Sequence, residues 1–256
     1  MKLEENQELI TSINAVATII KERPKTISLM YIKKTNLNAR LEKLLQIAET
    51  KEINISRVNN AFFKNNFADE RHQGVAIRCN KRSEENESYL QNLVQKRGNI
   101  LLLLLDSITD PHNLGACIRS AAAAGVDAVI VPKNRACHLN STVRKVSSGG
   151  SELIPFVIVI NLVRTIEWLK KNGVRIIGTS KSAKNIYSNM DLKGHVGFVI
   201  GSEEKGLRRL VKENCDGLIS IPMYGKMESL NASVSAGIVL FEYLKQNNHP
   251  TSELIL

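Results

Sequence analysis

The apolar run at residues 100–105 restricts the fold of this chain more than any other segment. The run reads ILLLLL and is followed directly by Asp106. It is too short to cross a bilayer, and it lacks the alternation of a half-buried strand. A continuous apolar run that ends in an acid is typical of a strand buried on both faces of a parallel sheet. The segment HNLGACIRSAAAAG (112–125), which ends at Gly125, predicts the helix that follows this strand.

Strand and helix signals continue to alternate through the rest of the sequence. Further strands are predicted at 128–131, 156–160, 174–177, 196–200 and 218–221, and further helices at 161–172, 206–214 and 230–246. Such alternation is typical of a domain built on a parallel sheet with helices on its faces. The fold class predicted for residues 99–247 is therefore α/β.

Residues 1–80 predict a second, smaller α/β unit. Its helix at 38–51 begins at the N-cap Asn38 and places apolar residues on one face, namely Leu41, Leu44, Leu45 and Ala48. Its strands are predicted at 28–33, 53–58 and 74–79. The polar segment 81–98 is predicted to be a linker with helical character near 89–95, and residues 248–256 are predicted to be a tail.

The chain carries an excess of positive charge. Its 35 Lys and Arg residues outnumber its 25 Asp and Glu residues, which gives a net charge of +10 and a pI near 9.5. Residues 1–80 hold 13 basic and 9 acidic groups, and residues 99–247 hold 18 and 12, so both domains contribute. Such a surplus favours a polyanionic partner, either a nucleic acid or an anionic membrane surface. A basic surface that serves only solubility explains the charge equally well.

Targeting signals and cysteine spacing favour the cytoplasm. The first residues, MKLEENQELI, are acidic and lack the layout of a signal peptide, and no apolar stretch is long enough for a transmembrane helix. The four cysteines show neither C-x-x-C nor zinc-ligand spacing, which predicts reduced thiols. The protein is therefore predicted to be cytoplasmic and free of membrane contact, with RNA or DNA as its polyanion.

The first of three candidate loops, residues 106–119, follows the buried strand. Acids at a strand end and a proline-containing turn mark the carboxyl edge of a parallel sheet, where ligands usually bind. Asn113 offers an amide donor and acceptor, and Arg119 offers a guanidinium suited to phosphate. Alternatively, Asp110 and Asn113 only cap and begin the helix, and Arg119 is a solvated charge.

The other two loops, within 198–207 and 221–237, exclude several enzyme classes. The chain has neither the G-x-G-x-x-G pattern of dinucleotide binding nor the G-x-x-x-x-G-K-[ST] pattern of P-loop NTPases, so 198–207 by itself reads as a strand-to-helix turn. Ser229 precedes a helix that it could cap, and the G-x-S-x-G motif of serine hydrolases is absent. The five histidines include no H-x-x-x-H pair, so no metal site is predicted.

The three loops together resemble a known family. The segments DxxxDPHNLGxxxR (106–119), IGSEEKGL (200–207) and IPMxGxxxSLNxSVxxG (221–237) match, in order and spacing, the SpoU (TrmH) family of the SPOUT superfamily of RNA ribose 2′-O-methyltransferases. In the first unit, INAV (13–16) and HQGVA (72–76) resemble the accessory RNA-binding domain of the branch that methylates guanosines of large-subunit ribosomal RNA.

The resemblance implies a reaction and a set of site residues. It implies S-adenosylmethionine as cofactor, bound in a deep trefoil knot, a homodimer with the site at the subunit interface, and 23S ribosomal RNA as substrate. The implied cofactor-binding residues are Thr179, Gly201, Ile221 and Leu230. The residues implied to surround the reacting ribose are Asn113, Arg119, Glu203, Ser229 and Asn231. The role of Arg119 is open between taking the hydroxyl proton and fixing the adjacent phosphate.

Three positions depart from the family pattern. Three other functions are also consistent with the sequence. Glu204 stands where the family commonly has glycine, Asn14 stands where it has histidine, and the acidic Glu228 precedes Ser229. The alternatives are a transfer RNA ribose methyltransferase on the same scaffold, a non-catalytic RNA-binding assembly factor, and, with least support, a nicotinamide oxidoreductase.

Overall fold

The computed structural model describes residues 3–67, 72–96 and 98–247, so the predicted tail at 248–256 lies outside the described residues. In chain order the elements are β1 Gln7–Ile10, α1 Ile13–Glu22, β2 Ile27–Lys33, α2 Ala39–Thr50, β3 Ile55–Val58, α3 Asn60–Asn66, β4 Val75–Asn80, α4 Glu87–Lys96, β5 Leu101–Asp106, α5 Pro111–Ala123, β6 Ala128–Pro132, α6 Ser141–Ser147, α7 Gly150–Leu153, β7 Phe156–Val159, α8 Leu162–Lys171, β8 Arg175–Thr179, β9 Asn185–Ile186, β10 Val196–Gly201, α9 Arg209–Asn214, β11 Gly217–Ser220 and α10 Ala232–Gln246. By their contacts, the described residues up to Ser83 form one unit together with Ser148–Leu153, and the others form a second.

The first unit is built on a four-stranded sheet in the order β1-β4-β2-β3. Strand β2 runs parallel to β3, whereas β4 runs antiparallel to β1 and β2. Helix α2 begins as predicted, because the Asn38 side chain accepts a hydrogen bond from the Leu41 N–H at 3.0 Å. Asn14, at the position where the family has histidine, accepts a hydrogen bond from Arg40 Nη2 at 2.8 Å.

The second unit is built on a seven-stranded parallel sheet in the order β7-β6-β5-β10-β8-β11-β9. Every residue of β5 is buried. Successive strand residues point to opposite faces, so Leu101 and Leu103 enter one apolar core while Leu102 and Leu104 enter the other. The predicted α/β class, with a parallel sheet covered on both faces, is confirmed.

Several predicted boundaries differ from the structure. The last helix begins at Ala232 and not at residue 230, because Asn231 is its N-cap, so the interpretation of Ser229 as a cap is wrong. Strand β7 ends at Val159, and the next residue, Ile160, is exposed. The segment predicted as a linker, 81–98, contains α4, whose Leu90 is buried in the core of the second unit.

The sheet topology determines where the candidate loops lie. Strands β5 and β10 are parallel neighbours, and their last residues, Asp106 and Gly201, are register partners. Strand β8, which ends at Thr179, is the other neighbour of β10, and β11 follows it. Because all these strands are parallel, their carboxyl ends meet at one edge of the sheet, and the three loops predicted from the sequence all start there.

Candidate active site

Three polar side chains from the three loops form a closed hydrogen-bonded triangle. Asn113 Nδ2 donates to Glu203 Oε1 at 2.9 Å. Asn231 Nδ2 donates both to Glu203 Oε1 at 2.7 Å and to Asn113 Oδ1 at 2.8 Å. Each residue comes from a different loop, so the triangle connects the ends of β5, β10 and β11. Since every vertex bonds both others, the amides and the carboxylate are held in one arrangement.

The same triangle forms the start of α10. The Asn231 side-chain oxygen accepts hydrogen bonds from the Ser233 N–H at 2.8 Å and the Ser233 hydroxyl at 2.6 Å. Glu203 Oε1 also accepts from the Ala232 N–H at 3.3 Å. A carboxylate at a helix N-terminus is stabilised by the unpaired N–H groups and the helix dipole. The site and the start of α10 therefore depend on the same residues.

A buried ion pair fixes the loop that carries Glu203. Asp106 is fully buried, and its carboxylate accepts from the Arg208 N–H at 2.8 Å and from Arg208 Nε at 2.6 Å. The loop between Gly201 and Arg208 thus returns to the end of the neighbouring strand. A buried carboxylate needs such compensation, because an isolated charge in the interior is strongly unfavourable.

The loop folds tightly over Gly201. A Cβ atom on Gly201 would lie 2.2 Å from the Gly206 carbonyl carbon, so no side chain fits at this position. The reversal itself is made by Gly206, whose φ of +63° is a left-handed conformation that favours glycine. Glu204 stands where the family commonly has glycine, and it is an exposed residue without positive φ. The loop therefore accommodates this departure without backbone strain at Glu204.

A cavity of about 850 Å³ opens beside the triangle. Its walls include the four residues predicted to bind the cofactor, namely Thr179, Gly201, Ile221 and Leu230. Glu203 and Ser229 line it as well. At its rim Glu228 Oε2 lies 3.9 Å from Lys181 Nζ, so this acid is next to a positive charge. All six of the predicted residues named here lie around one cavity, although their roles stay predictions.

The comparison with known proteins identifies the family. Residues 100–241 match the family model described as "SpoU rRNA Methylase family", which is more than half of the chain. The chain belongs to the SpoU rRNA methylase family. Residues 10–85 match a second model, "RNA 2'-O ribose methyltransferase substrate binding". The family predicted from the sequence motifs is thus confirmed.

SpoU relatives align over almost the whole chain. The "23S rRNA (guanosine-2'-O-)-methyltransferase RlmB" of Coxiella burnetii is 43% identical, covering 94% of this chain and 96% of the relative. RlmB of Escherichia coli K12 is 39% identical, covering 94% and 99%. Among solved structures, the SpoU methyltransferase AviRb from Streptomyces viridochromogenes, in complex with AdoMet, aligns with a TM-score of 0.75 at 21% identity, covering 94% of this chain and 90% of AviRb. This last likeness supports the fold.

Two of the five residues predicted to surround the ribose are not part of the triangle. Arg119 lies on the exposed side of α5 and makes no hydrogen bond or ion pair with any residue that the structure describes. It does not line the cavity either. Ser229 is exposed on the cavity wall. The helix cap of α5 is Asp110, whose carboxylate accepts from the His112 N–H at 3.1 Å, so Asn113 is not needed as a cap.

A buried thiol lies on the same helix as Asn113. Cys117 follows Asn113 by one helical turn on α5 and is fully buried. Burial raises the pKa of its thiol to about 12, and the negative charge of Glu203 adds to the rise. The thiol is thus neutral at physiological pH and packs in the apolar core on one face of the sheet.

Sequence reasoning missed the partner of Asp106. It noted an acid at the end of the buried strand, but nothing local connects that acid to Arg208, which lies 102 residues later. A buried strand that ends in an acid does require a cation nearby, which is the one available signal.

Among the described residues, no group of acidic, histidine and cysteine side chains could hold a metal ion. None of the described helices is long and apolar enough to span a membrane.

Proposed function

We propose that this protein transfers a methyl group from S-adenosylmethionine to the ribose 2′-hydroxyl of a guanosine in 23S ribosomal RNA. The observation that carries the proposal is the Asn113–Glu203–Asn231 triangle at the rim of an 850 Å³ cavity in a SpoU chain. The names of the RlmB relatives, which match over nearly their full length, support this RNA and this nucleoside.

The cavity fits a nucleoside-sized cofactor. Ligand pockets usually enclose about 300–1,000 Å³ and combine apolar walls with a few polar groups. Here Ile221 and Leu230 supply apolar walls, and Thr179 supplies a hydroxyl. Gly201, which has no side chain, lets the backbone of the 202–206 loop close over the end of β10. When bound, S-adenosylmethionine supplies a methyl group that is already activated for transfer.

The work of the protein is then mainly to position the ribose. Asn231 donates both amide protons within the triangle and accepts two hydrogen bonds from Ser233, so it fixes the other two side chains. Asn113 keeps one N–H outside the triangle and, because it is already held in place, can bind a ribose hydroxyl without first becoming ordered. Arg119 presents five N–H donors and no acceptor, which suits it to hold an anionic phosphate oxygen. We therefore assign Arg119 to the phosphate next to the reacting ribose.

A second copy of the chain is the proposed partner at α10. Val234 and Phe241 are 48% and 52% exposed, and because they are seven residues apart they lie on the same side of the helix. Helix α10 packs on α5, which carries the unpaired Arg119. A homodimer that covers this face would bury the two apolar side chains and bring groups of the partner towards Arg119. We expect a light-scattering mass about twice 28.5 kDa, and Phe241→Glu should return it to 28.5 kDa.

The proposed domain roles follow the two units. The N-terminal residues 1–80 would supply RNA affinity and target choice, residues 99–247 the catalysis, and residues 81–98 the connection between them. Because the relatives are bacterial and ribosomal RNA is made in the bacterial cytoplasm, we place the protein there.

The test has two steps. Calorimetric titration with S-adenosylmethionine and with its demethylated product should show binding to the wild-type protein. Incubation with unmodified 23S transcript and labelled cofactor should then methylate a single guanosine ribose, located by mass spectrometry. Arg119→Ala should abolish this transfer and leave cofactor affinity unchanged, while Arg164→Ala, an exposed arginine on α8, should change neither. Methylation of transfer RNA alone, or no cofactor binding with or without RNA, would contradict the proposal.

A further inference from the structure

The segment between β6 and the end of α6 is a stretch of unbalanced positive charge. Residues 128–147 contain no Asp or Glu, but they contain Lys133, Arg135, Arg144 and Lys145. Arg144 is buried, whereas the other three side chains are exposed. None of these three makes an ion pair with a residue in the described part of the chain. Three cations are therefore presented to solvent within thirteen residues of sequence.

Backbone hydrogen bonds hold the loop 133–140 against its neighbours. The Lys133 N–H donates to the Val159 carbonyl at 2.8 Å, which extends the pairing of β6 with β7. The Cys137 N–H donates to the Ile108 carbonyl at 2.8 Å, in the loop that leads to Asn113. The Leu139 N–H donates to Glu84 Oε1 at 3.2 Å. The loop is thus fixed at both ends and in the middle.

Two acids beside the loop accept hydrogen bonds from backbone groups. Glu84 accepts the Leu139 N–H, and Asp110 accepts the His112 N–H as the cap of α5. Neither carboxylate makes an ion pair with Lys133 or Arg135. His138, which also lies in the loop, contacts the Pro132 carbonyl through Nε2 at 3.3 Å. The charge of the lysine and the arginine is available to a ligand.

Arg135 itself adopts an unusual backbone conformation. Its φ is +60°, a left-handed value that is uncommon for residues other than glycine and asparagine. The bonds on both sides of Arg135 stabilise this conformation, so its side chain leaves the backbone in a defined direction. A side chain presented in this way loses less freedom when it binds than one on a flexible loop.

The loop lies at the edge of the sheet that carries the triangle. Strand β6 pairs with β5, and β5 pairs with β10, so the ends of β6 and β10 flank the loop that carries Asn113. Strands lie about 4.8 Å apart, which puts the ends of β6 and β10 about 10 Å from each other. The cations of the loop and the ribose-holding groups thus lie on opposite sides of residues 107–110. That separation is short enough for one RNA strand to contact both.

We infer that Lys133 and Arg135 bind phosphates of the RNA strand next to the nucleotide held by the triangle. The inference rests on the proposed function and adds to it a second point of contact, which holds the backbone and reads no base. Phosphate contacts of this kind set the register of a nucleic acid without specifying its sequence. Lys133 and Arg135 are positioning residues in this assignment.

The experiment compares two variants of equal charge. The double variant Lys133→Ala/Arg135→Gly removes both cations, and glycine keeps the left-handed backbone at 135. The control, Lys171→Ala/Lys193→Ala, also removes two exposed cations, which lie at the end of α8 and before β10, at the amino ends of the strands. Binding of unmodified 23S transcript is measured by filter retention at several salt concentrations, and methylation is measured under single-turnover conditions.

We expect the double variant to bind the transcript about tenfold more weakly. The slope of the logarithm of the binding constant against the logarithm of the salt concentration should become shallower by about 0.7 for each single-strand phosphate contact that is lost. Its cofactor affinity and its methylation rate at saturating RNA should match the wild type. The single variant Arg135→Lys, which keeps the positive charge, should keep most of the wild-type affinity. Equal weakening in the control pair, or an unchanged salt dependence in the double variant, would overturn the inference. If the wild-type protein bound the transcript but did not methylate it, the proposed function would fail, and the binding comparison would still decide this inference.

Discussion

Asn231 Nδ2 donates a 2.7 Å hydrogen bond to Glu203 Oε1, and the same Asn231 side chain caps α10 through its oxygen. One residue thus fixes both the start of the last helix and the carboxylate of the 202–208 loop. Because Asn113 completes the triangle, the positions of three loops depend on each other. A site built in this way is preorganised, and small changes in it are expected to affect catalysis more than folding.

Replacing Asn231 separates these two roles. Asn231→Ala should lower the free energy of unfolding by about 1 kcal/mol, the usual contribution of an N-cap, and should abolish methyl transfer. The matched control is Asn161→Ala, which removes the cap of α8, where the side chain accepts from the Val163 and Arg164 N–H groups. The control should lose similar stability in urea denaturation and keep its methyl transfer rate. Equal rates in the two variants would show that the triangle is not needed for the reaction.

Gly201 tests the tight fold of the same loop. In Gly201→Ala the new Cβ would meet the Gly206 backbone at 2.2 Å, so the loop must move away from the end of β10. We expect cofactor affinity to fall at least about tenfold, or 1.4 kcal/mol, in calorimetry. Gly98→Ala, where no atom lies within 4 Å of the added Cβ, should bind like the wild type. An unchanged affinity in Gly201→Ala would mean that the loop does not shape the cavity.

Asp106 tests the buried ion pair under that loop. Asp106→Asn removes the charge that faces Arg208 and places an amide where two N–H donors point. Breaking a buried pair usually costs about 3–5 kcal/mol, and because the Arg208 side chain is 39% exposed, we expect about 2–3 kcal/mol in the free energy of unfolding. Glu213→Gln, which breaks the exposed pair with Arg209, should cost less than about 0.5 kcal/mol. Similar losses in both variants would contradict this account.

The sequence predicts the sheet much better than it predicts the site. The apolar run of β5 and the helical period of α2 are local signals, and both elements were predicted on that basis. Helix α1 was missed because its segment, INAVATIIKE, is rich in β-branched residues and carries no N-cap hydrogen bond from Ser12. Val16 and Ile19 of this helix are buried by packing against residues of the sheet, and the local sequence pattern gives no information about those contacts.

The cap of α10 shows why site details are harder to predict. The triplet Ser229-Leu230-Asn231 offers two good capping residues two positions apart, and local propensity does not separate them. The choice is made by Glu203, which is 28 residues away in sequence and binds the Asn231 amide. That contact depends on the packing of α10 against β10, which no local pattern contains. The motif resemblance named the right residues, but only the fold shows that they touch.

Two thiols with raised pKa values give a test that needs no RNA. Burial raises the pKa of both Cys117 and Cys215 to about 12, with smaller contributions from Glu203 and Asp216 respectively. A thiol with a raised pKa stays protonated at any pH below that value. At pH 8 only about one such thiol in ten thousand is ionised, whereas about a quarter of the thiols of ordinary cysteines are ionised. In the folded protein, iodoacetamide should therefore modify these two residues on the order of a thousandfold more slowly than a free cysteine, as followed by peptide mass spectrometry. In urea all four cysteines should react alike. Because burial is the larger cause, Glu203→Gln should leave Cys117 nearly as unreactive, and rapid labelling of Cys117 in the native protein would show that α5 does not keep this thiol buried.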